Sequence, residues 1–226
     1  MNLKMMMNLF SIFDPSTSID LSLNWLSTLI IFLIFPYQYW LIPSRLHMFF
    51  NFLLNFLMKE FKILINYSYS NLIIFISLFL FIIVNNFMGL FPYVFTSSSH
   101  LSFSLSLSLS LWISMMLFSI LNYTNDFFSH LTPQGTPFIL MPFMVIIESI
   151  SLIIRPFTLA IRLTANMIAG HLLLSLLGSS GQIINNFFIF LIMIFSQLLL
   201  FILELSVSII QAYVFTILST LYSSEI

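Results

Sequence analysis

Four charged side chains lie inside strongly apolar sequence, namely Glu148, Arg155, Arg162 and Glu204. A charge at membrane depth costs at least ~2.5 to 3.5 kcal/mol on insertion scales, so such residues are candidates for function by default. Glu148, Arg155 and Arg162 are spaced by seven residues. At ~100° per residue this spacing returns to the same helix face within about 20°. Asn166, four residues after Arg162, lies near that face.

A second polar line follows the same spacing, because Gln197, Glu204 and Gln211 are again seven residues apart. Two facing helices would each present one polar line in an apolar wall. One interpretation is that these side chains hold the helices together, with Arg162 paired to Glu204 in a buried salt bridge. Buried ion pairs are a poor source of stability, however. We therefore favour a water-containing path for protons.

His171 is the fourth type of polar residue in this region. It follows Arg162 by nine residues, which places it on nearly the opposite face of a regular helix. A titrating imidazole suits a proton relay, and packing is the alternative role. The remaining histidines, His47, His100 and His130, fall in loops or at interfaces. Since haem held by two imidazoles needs facing pairs within spans, a cytochrome is disfavoured.

The composition excludes a soluble domain. The chain has 226 residues, of which 60% are hydrophobic and 6% charged, whereas soluble domains carry about 25% charged residues. A net charge of −1 provides no basic face for nucleic acid. The absence of cysteine excludes disulfides and thiolate metal sites. The sequence shows no glycine-rich phosphate loop, nucleophile–base pair or metal cluster, so we expect no cofactor, metal or nucleotide site.

The apolar segments predict an all-α multi-pass membrane protein that forms a single membrane domain over residues 1–226. A spanning helix needs ~20 mostly apolar residues. We predict about five crossings and one interfacial amphipathic helix, which carries Arg45, Lys59 and Lys62. The predicted crossings cover residues 21–35, 71–90, 101–123, 138–177 and 185–222, and the interfacial helix covers residues 44–65.

The last two segments are too long for ordinary crossings. As a helix, residues 138–177 would measure ~60 Å, about twice the hydrocarbon thickness. Each segment lacks an internal turn, and a turn is predicted at Gly178 to Gly181. We predict a long hairpin of steeply tilted, bent helices, which would suit a wall around a rotor or ring.

The third crossing begins with SFSLSLSLSL, whose alternation mimics a β-strand. One such strand cannot close a barrel. Serine can bond back to the carbonyl four residues earlier in a helix, so a helix is the better interpretation.

The basic residues predict the orientation. Arg45, Lys59 and Lys62 share one loop, which the positive-inside rule places on the inner side. With five crossings, the N-terminus lies outside and the C-terminus inside. The phenylalanine- and methionine-rich composition and the start MNLKMMMNLF, which lacks the character of an import presequence, indicate synthesis inside an organelle. A bacterial origin stays open.

Two motifs carry a family resemblance. The segment IRLTANMIAGHLLLSLLG at Arg162 and the later LELSVSIIQAYVFTIL resemble subunit a of the rotary ATP synthase in its mitochondrial form. The segments NLFSIFDPST, PSRLH, NNFMGLFPYVFT and LTPQGTP also fit, so the resemblance covers nearly all of the chain. It implies a proton-translocating stator subunit with two offset half-channels. The alternatives are a core subunit of a redox pump, a secondary transporter, or a structural anchor.

The resemblance also implies roles for single residues. Arg162 matches the essential arginine that faces the proton-carrying carboxylates of the rotating subunit c ring. Glu148 matches the acid of the half-channel leading to the matrix. The other matches are Asn166 and Gln211 as polar neighbours of the arginine, His171 and Glu204 in the half-channel open to the intermembrane space, and Asn86 as a channel-lining asparagine.

Two positions fit the family pattern less well. Gly89 stands where some bacterial members have an acid. Arg155 has no fixed counterpart, so it receives no catalytic role and its replacement by glutamine should be tolerated. A simple hairpin would also place Arg162 nearer Glu204, whereas the family implies proximity to Gln211.

The resemblance implies a location and partners. The location is the mitochondrial inner membrane, with the N-terminus toward the intermembrane space and the C-terminus toward the matrix. The partners are the subunit c ring, the peripheral-stalk subunit b, other small membrane subunits and the lipid bilayer.

Overall fold

A computed structural model describes residues 9–18, 21–34, 36–65, 69–132, 135–181, 184 and 186–225. All regular structure within these ranges is helical. The α-helices are α1 (Ile30–Ile34), α2 (Arg45–Leu64), α3 (Tyr69–Gly89), α4 (Leu101–Asn122), α5 (Thr124–His130), α6 (Met141–Ser180) and α7 (Phe187–Glu225). Short 3-10 helices cover Leu9–Phe13, Leu23–Leu29, Ser97–Ser99 and Phe138–Leu140.

Four helices of the described chain are long and apolar enough to cross a membrane, namely α3, α4, α6 and α7. The predicted first crossing, residues 21–35, differs from these. It forms seven residues of 3-10 helix followed by the five residues of α1, fewer than the ~20 of a full crossing. Asp20 and Phe35, at its edges, lie outside the described residues. The fifth crossing therefore stays a prediction.

The two long apolar segments form α6 and α7, which pack against each other. α6 contains 40 residues and continues through Pro156 without a break. Gly178 still belongs to this helix, so the prediction of a turn at 178–181 is wrong in its position. α6 ends at Ser180 and α7 begins at Phe187. The two helices are antiparallel, because Asn166 contacts Gln211 whereas the later Gly178 lies near the earlier Gln197. Tilt and bending in the membrane stay predictions.

The serine–leucine tract is helical, and its hydroxyls bond within the helix. Ser106, Ser110 and Ser114 lie on the exposed side of α4. Each donates its hydroxyl to the carbonyl three residues earlier, at 2.8, 3.1 and 2.7 Å respectively. The prediction that the acceptor is the carbonyl four residues earlier is therefore wrong by one position. On the inner side, the small buried side chains Ser104 and Ser108 suit the close packing of α4 against α6.

The predicted interfacial segment forms α2. Ser44 caps its start by accepting a hydrogen bond from the backbone N–H of His47 at 3.3 Å. Leu57 and Phe61 are buried where α2 packs against α3 and α7. The polar segment 124–137 contains the short helix α5, which has Asp126 in its first turn.

The buried core lies where α3, α6 and α7 meet. Phe75 and Ile82 from α3, Leu163 from α6, and Ala212 and Phe215 from α7 belong to one apolar cluster. Since this cluster fixes α7 between α3 and α6, it also fixes the polar residues that the two long helices carry.

Candidate functional site

The two polar lines meet at one hydrogen bond. Asn166 in α6 donates its Nδ2 to Oε1 of Gln211 in α7 at 2.9 Å. This contact shows which residues of α6 and α7 lie opposite each other. Gln211 lies opposite Asn166, four residues after Arg162 on α6. The alternative in which Arg162 pairs with Glu204 is wrong, because Glu204 lies against a later turn of α6.

Arg162 lies on the outer surface of the helix pair. Its side chain is exposed, whereas the next two residues, Leu163 and Thr164, are buried. The guanidinium makes no hydrogen bond or ion pair with any residue that the structure describes. A permanent positive charge is thus presented to whatever covers this face of α6.

Glu204 packs directly on Gly170. The side chain is only 7% exposed, and a Cβ added at Gly170 would lie 2.6 Å from its Cδ. Neither carboxylate oxygen has a hydrogen-bond partner within the described ranges. Gly170 is eight residues beyond Arg162, or ~12 Å along the helix axis. The acid and the arginine therefore occupy separate levels of the hairpin.

A small cavity lies beside Glu204. Its walls come from the residue that follows α3, from α6 and from α7: Leu90, Asn166, Met167, His171, Glu204 and Val207. The buried Nε2 of His171 has no partner among the described residues. The ring of Phe13 contacts the His171 ring edge to face, with 6.3 Å between centroids. Two titratable side chains and one amide therefore share a single small cavity whose other walls are apolar.

Asn86 lies in α3, one turn before the cavity-lining Leu90. Its side chain is fully buried, and neither amide atom has a partner in the part of the chain that the structure describes.

The space next to Gly89 is already occupied by the side chains of Thr96 and Met167. A Cβ there would lie 3.0 Å from the Thr96 methyl and 3.5 Å from Met167 Cε. An acidic side chain would not fit at Gly89 without displacing these neighbours.

Glu148 and Arg155 form a separate cluster on α6. Arg155 Nη2 lies 3.9 Å from Glu148 Oε1, and both side chains are partly exposed. The guanidinium also stacks on the ring of Tyr222 from α7, 4.8 Å from its centroid. Among the described residues, no group of three or more His, Asp or Glu side chains could hold a metal ion.

We expect Arg155→Gln to be tolerated. A partly exposed ion pair contributes ~0 to 1 kcal/mol, and an exposed cation–π contact contributes ~0.5 to 1 kcal/mol. The proton translocation expected from the sequence, measured in membrane vesicles and normalised to the amount of this chain, should stay within about twofold of wild type. A loss as deep as that of an Arg162 variant would instead make Arg155 essential.

Sequence reasoning missed the apolar residues that line the cavity. Leu90, Met167 and Val207 carried no signal of their own. Gly170, on which Glu204 packs, was also missed. A glycine beside a histidine within a helix could have indicated close approach of another side chain.

The chain is similar to known proteins over nearly its whole length. The family model for the ATP synthase A chain matches residues 21–224. Relatives named ATP synthase subunit a are 56% identical in Anopheles quadrimaculatus, 58% in Drosophila yakuba and 57% in Drosophila melanogaster. Each comparison covers 98% of this chain and 100% of the relative.

These matches decide against the redox pump, the secondary transporter and the structural anchor. The chain therefore belongs to the ATP synthase subunit a family in its mitochondrial form, the proton-translocating membrane component of the ATP synthase, which is not itself the catalytic subunit.

Proposed function

We propose that Arg162 separates two offset half-channels and faces the proton-carrying carboxylates of a subunit c ring. The observation that carries this proposal is the exposed guanidinium, which lies on the outer face of α6 without a partner among the described residues. A charge so costly at membrane depth needs a compensating group. A carboxylate on a neighbouring subunit would supply it.

The chemistry follows from solvation. A carboxylate that faces lipid must be protonated, because an isolated charge in hydrocarbon is too costly. The same carboxylate beside Arg162 favours its ionised form. Arg162 therefore forces proton release as each carboxylate arrives, and its positive charge blocks a direct proton leak between the half-channels. Protons must travel around with the ring, and each gains ~2.3 kcal/mol per 100 mV.

Glu204 and His171 line the half-channel open to the intermembrane space in this proposal. The cavity beside them measures about 10 Å³, close to the ~10 to 15 Å³ that one water molecule needs. Asn166 also lines it, and Asn166 binds Gln211. A proton could thus pass from titratable groups toward the amide pair near Arg162. Asn86 contributes a further buried amide on α3.

Glu148 lines the half-channel leading to the matrix. It precedes Arg162 by 14 residues, or ~21 Å along α6, in the direction opposite to Gly170. The two acids therefore lie on opposite sides of the arginine along the helix. This offset supports entry and exit at different membrane depths.

The proposed location is the mitochondrial inner membrane, with the N-terminus toward the intermembrane space and the C-terminus toward the matrix. The proposed partners are the c ring, the peripheral-stalk subunit b and other small membrane subunits. The apolar outer surfaces of α6 and α7 support contact with lipid or with such subunits.

Single cysteines test the ring contact, because the chain has none of its own. Ala165 is exposed beside Arg162, whereas Ala160 on the same helix is fully buried. In native membranes, Ala165→Cys should crosslink to a small, very apolar subunit that bears a carboxylate, identified by mass spectrometry. Ala160→Cys is the matched control and should give no such product. Crosslinks from Ala165→Cys only to other subunits would refute the proposal.

A further inference from the structure

The amphipathic helix α2 is tied to α7 by a side-chain hydrogen bond. Tyr213 donates its hydroxyl to Oε2 of Glu60 at 2.8 Å, across 153 positions of the chain. Both side chains are half-buried. A hydrogen bond to a carboxylate is about twice as strong as one between neutral groups. This bond is therefore more than an incidental surface contact.

The bond lies at the edge of a tightly packed contact. On α2, Leu57 and Phe61 belong to the buried core, and Phe61 is fully inaccessible. On α7, the neighbours Ala212 and Phe215 belong to the same core. Apolar packing brings the two helices together, and the directional bond from Tyr213 specifies how α7 is rotated against α2.

The same stretch of α7 is held from a second side. Gln211 accepts the hydrogen bond from Asn166 of α6. Two residues along a helix correspond to ~200°, so Gln211 and Tyr213 point in nearly opposite directions. α7 is thus fixed by α6 on one side and by α2 on the other, at nearly one level.

From this geometry we propose that Glu60 and Tyr213 are a positioning pair. They fix the rotation and height of α7, and thereby keep Gln211 against Asn166 and Glu204 over Gly170. The inference rests on the proposed function, because its consequence is measured as proton translocation. Neither residue is assigned contact with the transported proton.

The test compares variants that keep or remove this one bond. Tyr213→Phe removes the donor and keeps the ring, and Glu60→Ala removes the acceptor. We expect each to lower ATP-driven proton pumping about tenfold per assembled complex, because a misplacement of ~1 Å can cost ~100-fold. Glu60→Gln retains an acceptor oxygen and should keep at least about half of the activity. Tyr222→Phe is the matched control. It makes the same substitution elsewhere on α7 and preserves the ring that stacks on Arg155.

The double variant Glu60→Ala with Tyr213→Phe should be no worse than either single variant, since both remove the same bond. Unchanged pumping by Tyr213→Phe would overturn the proposal. Equal losses in Glu60→Gln and Glu60→Ala would also overturn it, because the charge rather than the bond would then matter.

An Arg162→Ala variant measured in parallel separates the two proposals. If Arg162→Ala is inactive while Tyr213→Phe is fully active, only the positioning pair fails. If Arg162→Ala still couples proton flow to ATP synthesis, the proposed function itself fails.

Discussion

Replacement of Arg162 by alanine should abolish coupled ATP synthesis. The exposed guanidinium has no partner within the described chain, so its removal breaks no internal contact of this subunit. The variant should assemble normally and lose only the charge presented to the proposed c ring. Loss of a group that stabilises charge typically costs ~100- to 1,000-fold, and we expect at least ~100-fold here. Respiration-driven ATP synthesis in inner-membrane vesicles measures this loss.

Arg155→Gln is the matched control for that experiment. It removes a second arginine from the same helix, but one whose charge already faces Glu148 and the Tyr222 ring. Normal content of the assembled complex should accompany both variants. Coupled ATP synthesis by an Arg162→Ala complex would contradict the role proposed for this residue.

Gly170→Ala should lower proton translocation about tenfold, because it displaces the carboxylate that we propose lines a half-channel. The new Cβ would lie 2.6 Å from Glu204 Cδ and 3.2 Å from its Cγ, so the acid must leave its present position. Alanine favours a helix over glycine by ~0.8 to 1 kcal/mol, so α6 itself should not be weakened. Passive proton conduction and ATP-driven pumping report the effect.

Gly178→Ala provides the comparison, since it makes the same substitution on the same helix. Its Cβ would lie 3.7 Å from Gln197 Nε2, an ordinary contact, so pumping should stay near the wild-type rate. Equal activities for the two alanine variants would contradict the importance of the contact between Gly170 and Glu204.

The sequence predicted the helical fold well because membrane helices follow from length and apolarity alone. The long segments of α6 and α7 were identified from the absence of an internal turn. The helix end was misplaced at Gly178 to Gly181, because small residues that are typical of turns also fit inside a helix. The α2 segment was recognised from its mixed apolar and charged pattern.

The site was only partly predictable. Periodicity identified Glu148, Arg162 and Glu204, but the spacing within one helix cannot show which residues of α7 meet them. The structure places Asn166 on Gln211 and Glu204 on Gly170. The bond between Glu60 and Tyr213 had no sequence signal, because each residue is ordinary in its own helix. Pairing across 153 positions depends on packing rather than on local pattern.

The exposed serines of α4 have a consequence for evolution. Ser106, Ser110 and Ser114 donate hydrogen bonds to carbonyls of their own helix, so no neighbouring helix has to supply a hydrogen-bond partner. Mutational pressure can exchange such positions between serine and apolar residues at little cost to the fold. Gly170 has no such freedom, since any side chain there meets Glu204. Aligned relatives should therefore vary along the outer side of α4 while the glycine persists.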